Sequence, residues 1–275
     1  MTDPTQIDEA EARRVMAGGL GRAELEFATS VCAPLYWIMR AADGGVRVRN
    51  GTAFFLDAGQ GVFGVTAAHV LAGLEADRAV NTVLAVQLGT ELVLDFEGAH
   101  AIIDRNDELD IATFRISAAE VASIGKAPLT GAQAAWPPAP PQQGRGLYFS
   151  GFAGAGTLWL ASNEISFAAA PGGGVADVVG RRDIWTVFNR ANWIDVMGVG
   201  IPPERYDFGG ISGGPMISVI ERNGVRSWAL AGVIYEGPNP STQEGAAIEG
   251  FETIRARRAH FIRSDGTLDL SMWDV

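Results

Sequence analysis

Ser212 stands at the centre of Gly209-Gly210-Ile211-Ser212-Gly213-Gly214-Pro215, a turn crowded with glycine and followed by the apolar run Met216 to Ile220. A serine hydroxyl is a poor nucleophile at neutral pH. It acts only with a base within hydrogen-bond reach and a third group that orients the base. Both residue types lie upstream: His69 in Val65-Thr66-Ala67-Ala68-His69-Val70, and Asp110 at the head of Asp110-Ile111-Ala112-Thr113-Phe114-Arg115-Ile116. Asp104 and Asp107 lie near Asp110, but only Asp110 directly precedes the apolar strand pattern, and its two neighbours read as solvated loop charges. The chemistry such a set could perform is acyl transfer through a covalent serine intermediate.

These three segments resemble those of the trypsin-like (chymotrypsin-fold) serine peptidases, which carry Thr-Ala-Ala-His, Asp-Ile-Ala and Gly-X-Ser-Gly-Gly-Pro in the same chain order; the resemblance covers roughly residues 30 to 260. It implies a serine endopeptidase acting on peptide or protein substrates, with Ser212 as nucleophile, His69 as general base and then acid, and Asp110 orienting the imidazole. It further implies an oxyanion hole made by the backbone amides of Gly210 and Ser212, and no cofactor or metal. Many members have Asp just before the serine, where it pairs with an N-terminus released by zymogen cleavage. Ile211 occupies that place and cannot make the ion pair, so the loop is either preformed or ordered in another way. By position, the floor of the specificity pocket is Tyr206 with Asp207 beside it, and the edge that binds substrate main chain is Gly232 to Gly237, with Tyr235, Glu236 and Gly237 nearest the substrate. Tyr206 argues against simple trypsin-like preference, while Asp207 or Glu236 would favour a basic side chain. Two other functions fit the same residues: a peptidase-like binding or sensor module with a non-productive oxyanion loop, and a small-ester hydrolase. The chain order is not the Ser, Asp, His of α/β-hydrolases.

The chain of 275 residues is long enough to bury a substantial core, and 47% apolar with 19% charged residues is ordinary for a globular protein. A formal charge of −11 argues against a nucleic-acid partner, whose phosphates are neutralised by Lys and Arg. Cys32 is the only cysteine, so no intrachain disulfide can form; it reads as packing. The first residues lack the basic start and apolar centre of a secretory signal, and together these features suggest a cytoplasmic bacterial protein. Gly146 to Asn163 is free of charge but glycine-rich, which suits a hairpin better than a membrane span. His100 and His260 have no companions at metal-ligand spacing, the glycines at 171–174 and 151–156 do not match a phosphate or dinucleotide loop, and Trp185, Trp193 and Trp228 read as core. A regulatory partner is left open.

The elements that must position the three residues are mostly short strands. Leu35 to Met39 with Val46 to Arg49, and Thr52 to Leu56 with Gly61 to Thr66, flank glycine turns as hairpins, and the second pair delivers His69 to a short helical turn over Ala67 to Leu74. Strands are expected at Thr82 to Leu88, Glu91 to Phe96 and Ala99 to Ile103; Ala112, Phe114 and Ile116 alternate with Thr113 and Arg115, as a half-buried strand requires. Further strands fall at Leu147 to Phe152, Thr157 to Ala161, Asp183 to Phe188, Met216 to Ile220 and Trp228 to Tyr235. The fold expected is all-β: two six-stranded antiparallel Greek-key barrels with an N-terminal extension over residues 1–28. The first barrel covers 29–126, a proline-rich linker 127–146, and the second barrel 147–275 with a closing C-terminal helix over Thr253 to Arg263. A capping box at Thr5 to Asp8 and a Glu9 to Arg13 pair would start a short helix that Gly18, Gly19 and Gly21 end.

Overall fold

The computed structural model describes residues 9–130, 136–161, 164–188, 192–203, 206–222, 225–238 and 252–273. The capping box at Thr5 to Asp8 lies outside them. In the first half the chain runs α1 Glu9–Val15, α2 Gly21–Ser30, β1 Cys32–Arg40, β2 Val46–Asp57, β3 Val62–Thr66, α3 Ala68–Val80, β4 Thr82–Leu88, β5 Leu92–Val93, β6 Ile102–Asn106, β7 Ile111–Arg115, α4 Ala118–Ser123 and β8 Leu129–Thr130. The second half holds β9 Gly146–Phe149, β10 Phe152–Ala161, β11 Glu164–Ala169, β12 Gly172–Val175, β13 Val178–Val179, β14 Asp183–Phe188, β15 Pro215–Arg222, β16 Val225–Glu236 and β17 Glu252–Arg258.

The first eight strands form one sheet in the order β5-β4-β1-β2-β3-β7-β6, with β8 pairing β2 in parallel; β12-β9-β15-β16-β17-β14-β13 form a second, and β10-β11 stand apart as a hairpin. Apart from β8 the pairings are antiparallel, and the architecture is mostly β and consistent with a chymotrypsin-like β-barrel fold. The sheets are eight- and seven-stranded rather than six-stranded, because the two-residue strands β5 and β8 add to the first and β13 to the second. Phe55, Leu88 and Phe114 fill the first lobe, Leu147, Ile184, Ile211, Met216 and Ile234 the second, and Phe54 and Leu56 join Tyr148, Ile217 and Leu230 in a third cluster drawn from both halves. Burying such side chains contributes about 1.5–3 kcal/mol each.

The closing helix expected over Thr253 to Arg263 is instead β17, followed by a 3₁₀ turn at Ala259–Phe261. Arginine and alanine favour helices, but here Ile254 and Ala256 alternate into the core while Thr253 and Arg255 face outward, and Arg255 and Arg257 lie over the rings of Trp185 and Tyr235. Tertiary contacts override local propensity.

At the N-terminus the glycines kink the helix rather than end it. Gly19 has a φ of 108°, and α2 continues beyond to Ser30. Leu25 and Ala28 are buried, Phe27 stacks on Trp228 at 4.8 Å, Thr29 Oγ1 lies 3.0 Å from Ser150 Oγ, and Arg226 approaches Glu24 to 3.2 Å. Burial raises the Glu24 carboxyl above its ordinary range, opposed by Tyr148 and Arg226. Trp228 is 40% exposed, so it flanks the core instead of filling it.

At the other end of the chain, Trp136 Nε1 donates to Ile262 O (2.8 Å), Thr113 Oγ1 to Gly266 O (2.6 Å) and Leu268 N to Asp104 Oδ2 (2.9 Å). Asp104 is therefore a half-buried anchor on β6 rather than a solvated loop charge. Cys32 is fully buried, with its thiol pushed up to about 11 by desolvation. Among the described residues no helix is long and apolar enough to cross a membrane.

Candidate active site

β3 ends at Thr66, and the chain turns through Ala67 into α3, so His69 lies in the first turn of a helix longer than the sequence suggests. Its backbone N–H donates to Asp110 Oδ1 (2.9 Å), and its Nδ1 lies 2.7 Å from Asp110 Oδ2. Each carboxylate oxygen thus holds a different atom of the same histidine. The pairing favours the tautomer with hydrogen on Nδ1, leaving the Nε2 lone pair as an acceptor. The His69 side chain is 49% exposed and that of Asp110 19%, so the imidazole is open to solvent and the acid lies on its covered side.

Asp110 directly precedes β7 with a φ of 55°, left-handed backbone that few residues other than glycine adopt and that aspartate tolerates better than most. Two interactions fix the turn before it. Asn106 Oδ1 accepts from Leu109 N (2.7 Å), and the buried Arg257 reaches from β17 to donate Nε to Leu109 O (2.8 Å) and Nη2 to Glu108 O (3.3 Å) while Nη1 donates to Asp183 Oδ1 (2.6 Å).

The Ser212 turn is stitched to both lobes. Ser212 O accepts from Thr52 N (2.8 Å) and Gly213 N donates to Ile234 O (2.7 Å), with Ile234 N returning a bond to Gly214 O (2.8 Å). A side chain on Gly213 would run into Thr52 O and Thr66 Oγ1, with Ala67 N 3.0 Å away. That close approach wedges the serine turn against the segment that leads into His69. Ser212 Oγ itself donates to Tyr235 O at 3.3 Å, not to the imidazole.

Planar trans peptides fix where the loop amides point. Gly209 O accepts from Gly154 N (2.6 Å), so the N–H of Gly210 projects the opposite way; Ile211 O accepts from Gly214 N (2.9 Å), so the N–H of Ser212 does likewise. Gly210 O accepts from Thr52 Oγ1 (2.8 Å), and Gly210 has a φ of 102°, which favours glycine. Ile211 is fully buried with its side chain against Gly237, in the apolar core of the second lobe. An apolar anchor thus holds the position where an aspartate would need an ammonium partner.

Around the expected specificity pocket, Tyr206 packs edge-on to Phe208 at 4.9 Å. Asp207 Oδ1 accepts from Gly209 N (2.7 Å), and Glu236 pairs with Arg255 (3.1 Å), so both carboxylates have partners within the fold. The Tyr235 phenol lies beneath Arg257, and burial together with Asp183 pushes it up to about 12.

The other histidines are placed structurally: His100 Nδ1 accepts from Asp95 N and its Nε2 meets Glu120, while His260 packs on Phe261. Among the described residues no three His, Cys, Asp or Glu side chains converge to hold a metal ion. Thr52, Asn50, Gly154 and Arg257 escaped the sequence analysis. Thr52, Asn50 and Arg257 each act on a partner more than a hundred positions away, and Gly154 holds Gly209 from another strand; nothing in their own segments marks that reach.

No protein-family model and no curated protein matches the chain. Solved structures similar to it include a serine endoprotease from Yersinia pestis, 14% identical with a TM-score of 0.45, covering 86% of this chain and 61% of that one. The HtrA-type protease AlgW is also similar: with a decapeptide, 13% identical, TM-score 0.42, covering 85% of this chain and 62% of that one; with a tripeptide, 14% identical, TM-score 0.41, covering 86% and 59%. The chain spans less than two thirds of the length of each, and the resemblance is remote.

Proposed function

We propose that this chain is a serine endopeptidase that hydrolyses peptide bonds through Ser212, His69 and Asp110. The observation that carries this is the two-point hold of Asp110 on His69, at 2.7 and 2.9 Å, with the Ser212 turn wedged against the residues leading into His69. Ser212 Oγ attacks the substrate carbonyl carbon as His69 Nε2 takes its proton. The imidazolium, steadied by Asp110, gives that proton to the departing amine. Water, deprotonated by the same nitrogen, then releases the acyl group and restores the hydroxyl. The negative charge on the former carbonyl oxygen is met by the N–H groups of Gly210 and Ser212, and losing one such donor costs about 3 kcal/mol of barrier.

The bond from Ser212 Oγ to Tyr235 O is long for a hydroxyl, so rotation about a single side-chain bond frees the oxygen at little cost. The edge Tyr235-Glu236-Gly237 offers backbone groups to an extended substrate. Because Asp207 and Glu236 are already engaged, the pocket beside Tyr206 favours an uncharged side chain over a basic one.

The test is covalent labelling by a fluorophosphonate, with cleavage of an unfolded protein alongside. Parent protein is labelled and cleaves; Ser212→Ala and His69→Ala do neither. The same hydroxyl contact with Tyr235 motivates a second reading, a peptide-binding module whose serine stays turned away. A folded parent protein that takes no label yet binds extended peptides would favour it.

A further inference from the structure

We propose that Thr52 is a positioning residue for the amide donors of the Ser212 turn, holding from the opposite lobe a conformation that no ion pair secures. This rests on the peptidase reading for its meaning, though not for its geometry. Side chains two apart on a strand share a face, and on β2 Asn50 and Thr52 both reach the start of β10. Asn50 Nδ2 donates to Phe152 O (2.6 Å), and Thr52 Oγ1 accepts from Phe152 N (2.9 Å). Two residues on, Gly154 N holds Gly209 O. The Thr52 hydroxyl spends its one hydrogen on Gly210 O (2.8 Å).

Both peptides flanking Gly210 are thereby captured through their carbonyls, one directly by Thr52 and one through the strand that Thr52 and Asn50 align. Turning over the Gly209–Gly210 peptide would bring Gly209 O to the place where the Gly210 N–H must meet the oxyanion; the bond from Thr52 to Gly210 O holds the next peptide, whose N–H donates to Phe208 O (3.1 Å), and so fixes the backbone on either side of that donor. A hydroxyl suits the task because it donates and accepts at once. Valine has the same shape and can do neither, so Thr52→Val leaves Gly210 O and Phe152 N without their partner while keeping the buried volume.

The experiment compares parent, Thr52→Val and Thr52→Ser by crystallography and by kinetics. In the parent and in Thr52→Ser, Gly209 O faces Gly154 N; in Thr52→Val that peptide is turned over or no longer single. Fluorophosphonate acylation and kcat fall at least about tenfold in Thr52→Val, given that complete loss of one oxyanion donor costs 10²–10³-fold. KM changes less than about twofold, and Thr52→Ser recovers the rate. A folded Thr52→Val with the parental peptide orientation and the parental labelling rate overturns the proposal. Should Thr52→Val not fold, Asn50→Ala at the half-buried rim is read by the same two measurements, and an unchanged peptide and rate there overturn it equally. A parent that takes no label defeats the peptidase reading alone, because the orientation of the peptide still decides the role of Thr52.

Discussion

Asp110 combines two demands in one residue: a carboxylate that must face His69 and a backbone φ of 55°. Asparagine tolerates the same backbone and keeps the shape, but its amide cannot accept at both oxygen positions or steady an imidazolium. Asp110→Asn should therefore melt close to the parent while kcat falls by about 10⁴-fold, the loss that neutralising the aspartate of a Ser-His-Asp triad causes. A much smaller loss would remove Asp110 from the mechanism. Activity should also decline on acidification, since a protonated imidazole cannot accept the serine proton; a rate that stays flat from about pH 8 to 5 would count against His69 as the base. For specificity, the partners of Asp207 and Glu236 imply that kcat/KM for an arginyl substrate does not exceed that for an uncharged one of similar size, a comparison a peptide library makes directly.

Among the elements, the strands beside the three residues proposed to react were legible because each joins a strand signal to a motif at its end: a hairpin turn before β3, alternation in β7 and an apolar run in β15. β3 runs into Thr66 and His69, β7 begins after Asp110, and the Ser212 turn opens β15. β17 was not legible. Its alternation is short, its arginines are good helix formers, and what makes it a strand lies on other elements: the ladders of β14 and β16 on either side, and the rings of Trp185, Tyr235 and Trp273 that its arginines cover. Arg257, buried within it, bonds to Asp183 and to two carbonyls in the turn before Asp110. Arg257→Leu should cost about 3 kcal/mol or more in denaturant unfolding, because it leaves a carboxylate and two acceptors unpaired. The specific activity of whatever stays folded should fall as well, as the Asp110 turn loosens. Parental stability in this variant would show the bonds to be incidental.

For the whole molecule, acid sensitivity has an identifiable source. Desolvation, helped by Arg258 and opposed by Asp269, lowers the His260 imidazole to about 4 from an ordinary 6.5. The unfolded chain therefore binds a proton at this site that the folded chain refuses, and stability declines as pH falls from about 6.5 towards 4. Replacing His260 with leucine should flatten the melting temperature over that interval; an unchanged slope would assign the loss to carboxylates instead. The two large sheets are built from strands on either side of the prolines at 137–141, whereas the bonds that join the two halves leave no mark in the sequence, since they link residues far apart in it.

Those ties are reciprocal. α2 precedes the first lobe in the chain but rests on the second through Glu24, Phe27 and Thr29, while the segment after β17 follows the second lobe but returns to the first at Thr113 and Asp104. Each half thus keeps hold of the other's loose end. A molecule severed once between β8 and β9 would still travel as a single particle through a sizing column, and undoing both clasps would leave Thr52 and Arg257 still bonded across the cut.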